Sequence, residues 1–381
     1  MKITVIGPVY PYRGGIAHYT TLLARALSKR HQVRVISFLR QYPRWLYPGK
    51  TDKDPSRQPL RVEAEYLLDT LYPWTWWQTA NQIFLFQPEV VIFPWWTTFW
   101  APAFAVLTCL LRQKNLKTLF LIHNVLPHEA RFWDAWLARL ALRQGQAFVV
   151  QTAREKNRLL TFVPEAVVEI CPHPVYEMFK EQYLPHREAR QKLGLPLEWP
   201  VALFFGIVRP YKGLKYLIEA IARLGEGGEK VYLVVAGEFW EDKRFYQRQV
   251  ENLGLTRQVR LEDRYIPNEE VGLFFSAADV FVAPYVGGTQ SGALKMAIGF
   301  GVPVITTQIE ALPEGVLTHQ VGWCVPPEDD WALAGAISTC LRAVGSAAWS
   351  NPPVAVPDYP GWDCLVTVIE RLAGRREVRQ G

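Results

Sequence analysis

The sequence predicts an α/β fold of two doubly wound, parallel-sheet domains that face each other across a cleft. Three observations support this prediction. The chain has 381 residues, which is room for two domains of ordinary size. Short apolar strands alternate with helices in two separate runs along the chain. Between the runs lies segment 172–200, which holds five prolines and many charges, a composition typical of a linker.

The first run starts at the N-terminus. Residues 3–6 form a β-branched strand, a loop rich in glycine and proline follows at 10–15, and apolar side chains then recur at helical spacing over 16–27. A strand at 33–38 completes a strand–helix–strand unit, which implies parallel pairing through a right-handed crossover. Further apolar strands are expected at 90–93, 118–122 and 147–150.

The second run repeats this pattern. A strand at 201–206 is followed by a helix over 212–224. The remaining elements are strands at 231–236, 259–261, 280–283 and 304–306, and helices at 269–277 and 293–300.

We divide the chain into two Rossmann-like domains, 1–185 and 186–355, and a C-terminal segment, 356–381. The last segment contains a helix over 361–374 and ends in a basic tail. One face of that helix is apolar: Trp362, Leu365, Val366, Ile369 and Leu372.

The net charge of +6, from 42 basic and 36 acidic residues, is small for this length. It permits an anionic ligand or an anionic membrane surface. Nucleic-acid binding is disfavoured because the basic residues are dispersed rather than clustered.

The cysteines indicate neither a disulfide framework nor a zinc site, because the five are widely spaced and form no Cys-x-x-Cys or Cys/His pairing. Free thiols in a reducing cytoplasm are the expectation, and the four-residue run at 3–6 is too short for the apolar core of a signal peptide. The apolar run 93–111 approaches the length of a membrane span but contains two prolines and three threonines. We interpret it as a core element.

Three loops could hold an anion. Gly14 and Gly15 stand between a strand and a helix, where glycine lets the backbone approach a ligand and the helix start offers N–H groups. The spacing is not G-x-G-x-x-G, so the NAD fingerprint is absent. A helix-entry Gly-Gly pair is also a common structural feature.

The second loop follows the strand that ends at Gly206. Arg209 and Lys212 lie between that strand and the next helix. Two cations at the carboxyl end of a parallel strand, beside a helix N-terminus, suit a diphosphate better than they suit a solvated basic turn.

The third loop runs from Gly287 to Gly292 between a strand and a helix, and it is built of small residues. Gln290 and Ser291 could add side-chain hydrogen bonds to a ligand at the helix start, beside Gly292. Elsewhere, His123 and Asn124 follow the strand at 118–122. A histidine at a strand end that faces the expected cleft can bond a sugar or move a proton, although most lone histidines are structural.

These stretches, in this order, resemble glycosyltransferase family 4, a retaining family with the GT-B fold. The resemblance runs from residue 1 to about 373. It rests on the Gly-Gly loop, His123, G-I-V-R-P-Y-K-G at 206–213 and the loop–helix–Pro–strand unit at 287–306, with Leu-Pro-Glu at 312–314 and G-W-C-V-P-P at 322–327 as closing elements.

The resemblance implies that the C-terminal domain binds a nucleotide-diphosphate sugar and the N-terminal domain a glycan or lipid-linked acceptor. Arg209 and Lys212 would bind the diphosphate, with help from Gly206 and from amides at Gly14, Gly15 and 290–292. His123 would contact the transferred sugar, and the last helix would cross back onto the N-terminal domain. Polysaccharide or glycolipid assembly in the cytoplasm is the expected setting.

One departure from the family pattern concerns two glutamates that usually lie eight positions apart before the Pro-Val strand. Counting back from Pro303, these positions hold Gly288 and Met296. The glutamates normally contact the donor sugar and the ribose, so the donor is not identified. The local T-Q-S-G-A-L sequence is similar to a branch of the family with Gln-Ser-Gly in this loop.

The predicted chemistry is electrostatic and needs no cofactor beyond the donor itself. Negative charge develops on the leaving diphosphate, where Arg209, Lys212 and helix N-termini can stabilise it. No carboxylate pair of glycosidase type is evident, and no Asp-x-Asp stands at a strand end, so no metal is implied. Front-face retention is the expectation that comes with the family.

Tryptophans cluster at 72–77, at 94–100 and in an expected helix over 129–143. His128 and Glu129 stand at the start of that helix. In that helix the aromatic residues share one half and Arg131 and Arg139 the other. An aromatic and basic surface suits an acceptor at the inner face of a membrane. Stacking on sugars and burial in a core are the two other interpretations.

Two rival functions remain. The missing glutamates would also fit a non-catalytic protein that binds a nucleotide sugar or glycan on a GT-B scaffold. A nucleotide-sugar epimerase of GT-B fold is the other rival, but such enzymes lack the combined R-x-x-K-G and Q-S-G loops.

Overall fold

A computed structural model of the chain describes residues 1–43, 45–127, 130–288, 291–310, 312–317, 321–344 and 361–374. The chain divides into two compact units. The first comprises 1–54, 59–174 and the described part of 360–381; the second comprises 55–58 and the described part of 175–359.

A seven-stranded parallel sheet forms the centre of the first unit. Its strand order is β3-β2-β1-β4-β5-β6-β7, the doubly wound arrangement expected from alternating strands and helices. The strands are β1 (Lys2–Ile6), β2 (Gln32–Arg40), β3 (Glu65–Asp69), β4 (Val90–Trp95), β5 (Lys117–Ile122), β6 (Ala147–Val150) and β7 (Val167–Ile170).

Helices cover both faces of this sheet. They are α1 (Gly15–Ser28), α2 (Pro73–Phe86), α3 (Ala101–Gln113), α4 (Asp134–Leu142), α5 (Ala153–Phe162) and α13 (Trp362–Gly374). The helices α2, α3 and α4 pack side by side, and α1 packs against α13. Parallel sheets need this cover because both faces of their strands are apolar.

Aromatic side chains fill the core between the sheet and α3. Trp95, Trp100, Phe93, Phe104 and Phe120 are fully buried, and the Phe93 and Phe120 rings stack at 5.2 Å. Burying a side chain of this size contributes about 1.5–3 kcal/mol. The run 93–111 is therefore a core strand end and helix, as interpreted, and no helix among the described residues has the length and hydropathy to cross a membrane.

The second unit is built on a six-stranded parallel sheet with the order β10-β9-β8-β11-β12-β13. Its strands are β8 (Val201–Phe205), β9 (Tyr232–Ala236), β10 (Val259–Glu262), β11 (Val280–Ala283), β12 (Val304–Thr307) and β13 (Gly322–Val325). Its helices are α6 (His186–Leu193), α7 (Leu214–Glu226), α8 (Lys243–Asn252), α9 (Asn268–Ala277), α10 (Gly292–Gly299), α11 (Leu312–Leu317) and α12 (Asp330–Val344).

The division between the units falls after residue 174, whereas the sequence prediction put it at 185. The reason lies in the first residues of the linker. Tyr176 and Phe179 are buried in the second unit, where Tyr176 lies against the positions of Gly292 and Gly299. Residues 55–58 also belong to the second unit, through the bond from the Asn268 amide to Ser56 Oγ.

The helix that was expected over 129–143 begins later, at Asp134. The Asp134 carboxylate is buried and accepts hydrogen bonds from Thr98 Oγ1 and, at 2.6 Å, from the Arg131 amide. Residues 131–133 therefore form a capped turn before the helix rather than its first turn. His128 and Glu129 lie outside the described residues, as does the basic tail after residue 374.

Candidate functional site

In the second unit, the order of the sheet reverses between β8 and β11, which are neighbours in space but not in sequence. In doubly wound sheets ligands bind at the carboxyl edge at such a switch point. The loops that follow these two strands carry the predicted cations and the predicted small-residue segment.

The loop after β8 holds Lys212 directly over Gly206. Gly206 has φ +102, and Lys212 Nζ lies 3.2 Å from the point where a Cβ on Gly206 would stand. A side chain at position 206 would therefore be strained and would crowd the ammonium group. The chain then turns into α7 through Gly213, which has φ +67.

Lys212 is a half-buried cation. Burial, followed by the positive charge of Arg209, lowers the pKa of Lys212 to about 8. Among the residues that the structure describes, no carboxylate lies within ion-pair distance of its ammonium, and its contact is the Tyr285 ring at 5.6 Å. An anionic ligand would stabilise the charged form of a desolvated lysine that lies beside a second cation.

Arg209 lies near two aromatic rings. Its guanidinium lies 5.5 Å from the Trp240 ring and 5.8 Å from the Tyr211 ring. The loop that carries Trp240 follows β9 and runs beside the β8 loop, because Val208 N donates to Glu238 O and Trp240 N donates to Val208 O, at 2.9 and 3.1 Å. Aromatic rings at these distances attract the guanidinium through cation–π interactions and so restrict its position.

The loop after β11 is hydrogen-bonded to the loop after β8. The amides of Val286 and Gly287 donate to Tyr211 O, at 2.8 and 3.2 Å. Tyr285 is buried, and its Oη lies 3.0 Å from Ser291 Oγ. The two loops therefore form one continuous edge around Lys212.

Ser291 caps α10. Its Oγ accepts from the Leu294 amide at 3.1 Å, and Gly292 is the first residue of the helix. The capping bond is the local reason that this helix begins here. Gln290, the other predicted ligand in this loop, lies outside the described residues.

The two positions where the family carries glutamates are occupied by residues of a different kind. Gly288 has φ +108, and Met296 is buried on α10. Neither offers a carboxylate to this edge of the sheet.

The remaining predicted site residues belong to the first unit. Gly14 has φ +103 and is the N-cap of α1, which begins at Gly15. A Cβ on either glycine would meet no atom within 4 Å, so the space in front of this helix start is open. The dipole of a 14-residue helix favours negative charge there.

His123 lies at the carboxyl edge of the first unit's sheet, one residue after β5. It is 6% exposed, and its amide donates to Trp95 O at 2.8 Å. Burial, followed by the charge of His173, lowers the pKa of His123 to about 3. The imidazole is therefore neutral at neutral pH, and it packs edge-on against the Tyr19 ring at 4.6 Å.

The tryptophan clusters separate into two groups. Trp95 and Trp100 are core residues, and Trp96 donates to Tyr42 Oη at 2.8 Å. By contrast, five aromatic side chains on α2 and at the start of α4 are exposed. They are Trp74 and Trp77 on α2, and Phe132, Trp133 and Trp136 at α4.

Sequence reasoning missed Tyr285, Trp240 and Gly213. Tyr285 follows β11 and Trp240 lies in the loop after β9, so their positions at strand ends were a usable signal. Gly213 was visible as the glycine between Lys212 and the helix. The described residues contain no group of three or more His, Cys, Asp and Glu side chains that could hold a metal ion.

Two family models match the chain. Residues 13–176 match "Glycosyltransferase Family 4", and residues 199–343 match "Glycosyl transferases group 1". Between them the two models span most of both units.

Several curated glycosyltransferases are similar over part of their length. The D-inositol 3-phosphate glycosyltransferase of Corynebacterium glutamicum (strain R) is 29% identical over 160 residues, which are 40% of this chain and 38% of that protein. The phosphatidyl-myo-inositol mannosyltransferase of Mycobacterium leprae is 30% identical over 156 residues, 40% of each chain. This chain thus spans about two fifths of the length of these curated relatives.

Solved structures match over the whole chain. Anabaena Alr3699/HepE in complex with UDP has a TM-score of 0.73 at 17% identity and covers 97% of this chain and 99% of its own. Sucrose-phosphate synthase from Thermosynechococcus elongatus has a TM-score of 0.72 at 19% identity, with 98% of each chain covered. At these identities the similarity establishes the fold. Residues 13–176 therefore form a family 4 glycosyltransferase domain and residues 199–343 a group 1 glycosyl transferase domain, and the chain has the GT-B fold of two Rossmann-like domains.

Proposed function

We propose that this protein is a retaining hexosyltransferase that moves a sugar from a nucleotide-diphosphate sugar to a glycan or lipid-linked acceptor. The observation that carries the proposal is the pair Arg209 and Lys212 at the switch point of the second sheet. A half-buried lysine with a lowered pKa and no carboxylate partner among the described residues is a site prepared for an anion. Complexes of a structural neighbour with UDP and UDP-glucose support a nucleotide-sugar donor.

The proposed mechanism stabilises the leaving group. As the glycosidic bond breaks, negative charge grows on the diphosphate, and Arg209 and Lys212 offset it together with the N-termini of α7 and α10. Loss of one such donor typically costs 10²–10³ in kcat, or about 2.7–4 kcal/mol. In front-face retention the leaving phosphate accepts the proton of the acceptor hydroxyl.

Further donor contacts are part of the proposal. Gly206 lets Lys212 approach the diphosphate, and Gln290, Ser291 and the Gly292 amide contact the donor at the start of α10. Gly14 and Gly15 offer backbone amides in the first unit, and His123 contacts the transferred sugar. Charge neutralisation by two cations implies that turnover needs no divalent metal, so chelation with EDTA is expected to leave it unchanged.

Ligand-dependent thermal stability tests the donor site directly. A ligand that binds only the folded state, present at about 100 times its Kd, adds about 2.7 kcal/mol. We expect one of the UDP-, GDP- or ADP-sugars to stabilise the wild-type protein but not Arg209→Ala or Lys212→Ala, and both variants to lose transfer by orders of magnitude. Unchanged turnover in both variants would refute the assignment of the site.

A non-catalytic nucleotide-sugar or glycan-binding protein is the second candidate, favoured by Gly288 and Met296 at the two glutamate positions. The same panel separates the two functions. Stabilisation by a nucleotide sugar without transfer or hydrolysis would support the binding protein, whereas turnover would exclude it.

On the acceptor side, we propose that the exposed aromatic residues of α2 and α4 contact an anionic membrane surface. Phe132 is 89% exposed and Trp136 is 66% exposed, and Arg131, Arg139 and Arg143 are exposed in the same stretch. The helices α2, α3 and α4 pack side by side, so the aromatic side chains belong to one helical layer. Each arginine near an anionic surface contributes about 1 kcal/mol, and the aromatic rings suit the interface.

Liposome sedimentation tests this surface. We expect binding to vesicles that contain phosphatidylserine, weakened by salt and by the double substitution Phe132→Ser and Trp136→Ser. Trp331 is 65% exposed in the second unit, so Trp331→Ser is a matched control that should bind normally. Absence of wild-type binding at low salt would contradict the proposal.

A further inference from the structure

Gln151 lies beside His123 at the carboxyl edge of the first unit's sheet. The strands β5 and β6 are neighbours, and Ile122 pairs with Val150, so the residues that follow these two positions meet. The Gln151 amide nitrogen, Nε2, lies 3.2 Å from His123 Nδ1. Gln151 is 3% exposed and His123 is 6% exposed.

This contact determines which nitrogen of His123 carries the proton. An amide nitrogen can only donate, so Nδ1 of the imidazole must accept. The ring is neutral at neutral pH because its pKa is lowered to about 3. A neutral imidazole that accepts at Nδ1 carries its hydrogen at Nε2 and offers a hydrogen-bond donor there.

The donor at Nε2 has no protein partner. Among the described residues, no group accepts a hydrogen bond from His123 Nε2, although this atom is shielded from solvent. Gln151 Oε1 is likewise buried without a donor. A buried donor and a buried acceptor that are left unpaired destabilise the fold, and such groups are commonly retained where a ligand satisfies them.

The surrounding loop is fixed by bonds that do not involve the imidazole. Glu155 Oε2 accepts from the Val125 amide at 2.6 Å, and Trp95 Nε1 donates to Val125 O at 3.1 Å. These two bonds hold the backbone two residues after His123. The loop is therefore anchored without the imidazole, and among the described residues His123 is the hydrogen-bond partner of the Gln151 side-chain amide.

We propose that Gln151 is a positioning residue that holds His123 in its Nε2–H tautomer, so that the imidazole donates a hydrogen bond to a hydroxyl group of the bound sugar. The inference rests on the proposed function for the identity of the ligand. The tautomer itself is a property of the free protein and can be measured without any substrate.

Nitrogen NMR of the full chain with labelled histidine tests the tautomer. In the wild-type protein at pH 7, we expect a protonated Nε2 and an unprotonated Nδ1 for His123, with the signals assigned by their loss in His123→Ala. In Gln151→Glu the carboxylate can only accept, so the proton is expected to move to Nδ1. Gln151→Met should remove the preference.

Gln146 provides a matched control because it flanks the other end of the same strand. Its Oε1 accepts from the Thr118 amide at 2.9 Å, away from His123. Gln146→Met should therefore leave the His123 tautomer and the turnover unchanged, while sharing the general cost of replacing a glutamine next to β6.

Kinetics with the nucleotide sugar found in the thermal panel test the consequence. We expect Gln151→Glu and Gln151→Met to lose about tenfold in kcat/KM, the size of one hydrogen bond. In the His123→Ala background, the same substitutions should cause no further loss, because Gln151 acts through the imidazole.

Two results would overturn the inference while leaving the proposed function intact: an active wild-type protein with the proton on Nδ1, or Gln151→Met with wild-type tautomer and kinetics. If the predicted tautomers are observed but the wild-type protein transfers no sugar from any donor, the positioning role of Gln151 is supported and the proposed function fails.

Discussion

Binding of a nucleoside diphosphate should take up a proton at Lys212. The pKa of this residue is lowered to about 8 from its ordinary value of 10.5 by burial and by Arg209. A diphosphate at the ammonium would favour the charged form and raise the pKa again. The free protein is only partly protonated at Lys212 in mildly alkaline solution, so the complex must take up the remaining fraction of a proton from the solution.

The magnitude follows from the two pKa values. If the complex restores the ordinary value, uptake is about 0.1 proton at pH 7, about 0.5 at pH 8 and about 0.9 at pH 9. The sign follows because lysine is charged at the lower pH values. The affinity is therefore greatest near pH 7 and falls as pH rises through the pKa of Lys212 in the free protein. Between pH 7 and pH 9 the Kd should weaken about tenfold. The diphosphate itself adds little, because its last pKa lies near 6.

Isothermal titration calorimetry in Hepes, Tricine and Tris at pH 8 measures this uptake as the slope of enthalpy against buffer ionisation enthalpy. UDP, GDP and ADP are the probes. Lys212→Met should abolish the slope, and Lys192→Met, which removes an exposed lysine paired with Glu188, should retain it. A wild-type slope of zero with a diphosphate that binds, or an unchanged slope in Lys212→Met, would refute the reasoning.

The remaining predictions concern the backbone turn before α7 and the free thiols. At Gly213, φ is +67 and an added Cβ would lie 2.0 Å from Pro284 O. Gly213→Ala should therefore destabilise the second unit by more than 1 kcal/mol and abolish diphosphate binding, as measured by chemical denaturation and by calorimetry. At pH 8, iodoacetamide should label the exposed Cys364 and spare Cys171. The reason is that burial and the neighbouring Cys364 raise the pKa of Cys171 to about 12. Peptide mass spectrometry measures the labelling.

Each of these predictions has an internal control. Gly225 lies within the same helix α7 with open space at its Cβ, so Gly225→Ala should stabilise the protein by about 0.5–1 kcal/mol. Equal effects of the two glycine substitutions would contradict the argument for Gly213. Labelling of Cys171 at the rate of Cys364 in the folded protein would contradict the argument from burial.

The sequence predicted the strands that lie inside the sheets because their residues are apolar on both faces. The runs at 90–93 and 201–206 correspond to β4 and β8, which are buried throughout. The outer strands β3 and β7 were not predicted. In β7 the side chains are exposed or half-buried, and Glu169 interrupts the apolar run, so an edge strand leaves little pattern to detect.

The site was predictable as far as topology determines it. Parallel strands deliver their loops to one edge, and this places Arg209, Lys212 and Ser291 together once the strands are recognised. The hydrogen bonds that link the two loops were not predictable. They run from the amides of Val286 and Gly287 to Tyr211 O and join residues about 75 positions apart. The tryptophans show the same limit: Trp76 is buried and Trp77 is exposed, although they are adjacent in the sequence.

The backbone conformation and the burial at the two family glutamate positions disfavour glutamate. Gly288 has φ +108, a backbone conformation that residues with side chains rarely adopt, so a glutamate at this position would strain the loop. Met296 is 8% exposed on α10, where a carboxylate would be costly to bury without a partner. Simple loss of two side chains would leave two positions that still accept glutamate. Glutamate is disfavoured both at Gly288 in the loop and at Met296 on α10, which favours a site rebuilt around other donor contacts over a site that has only decayed.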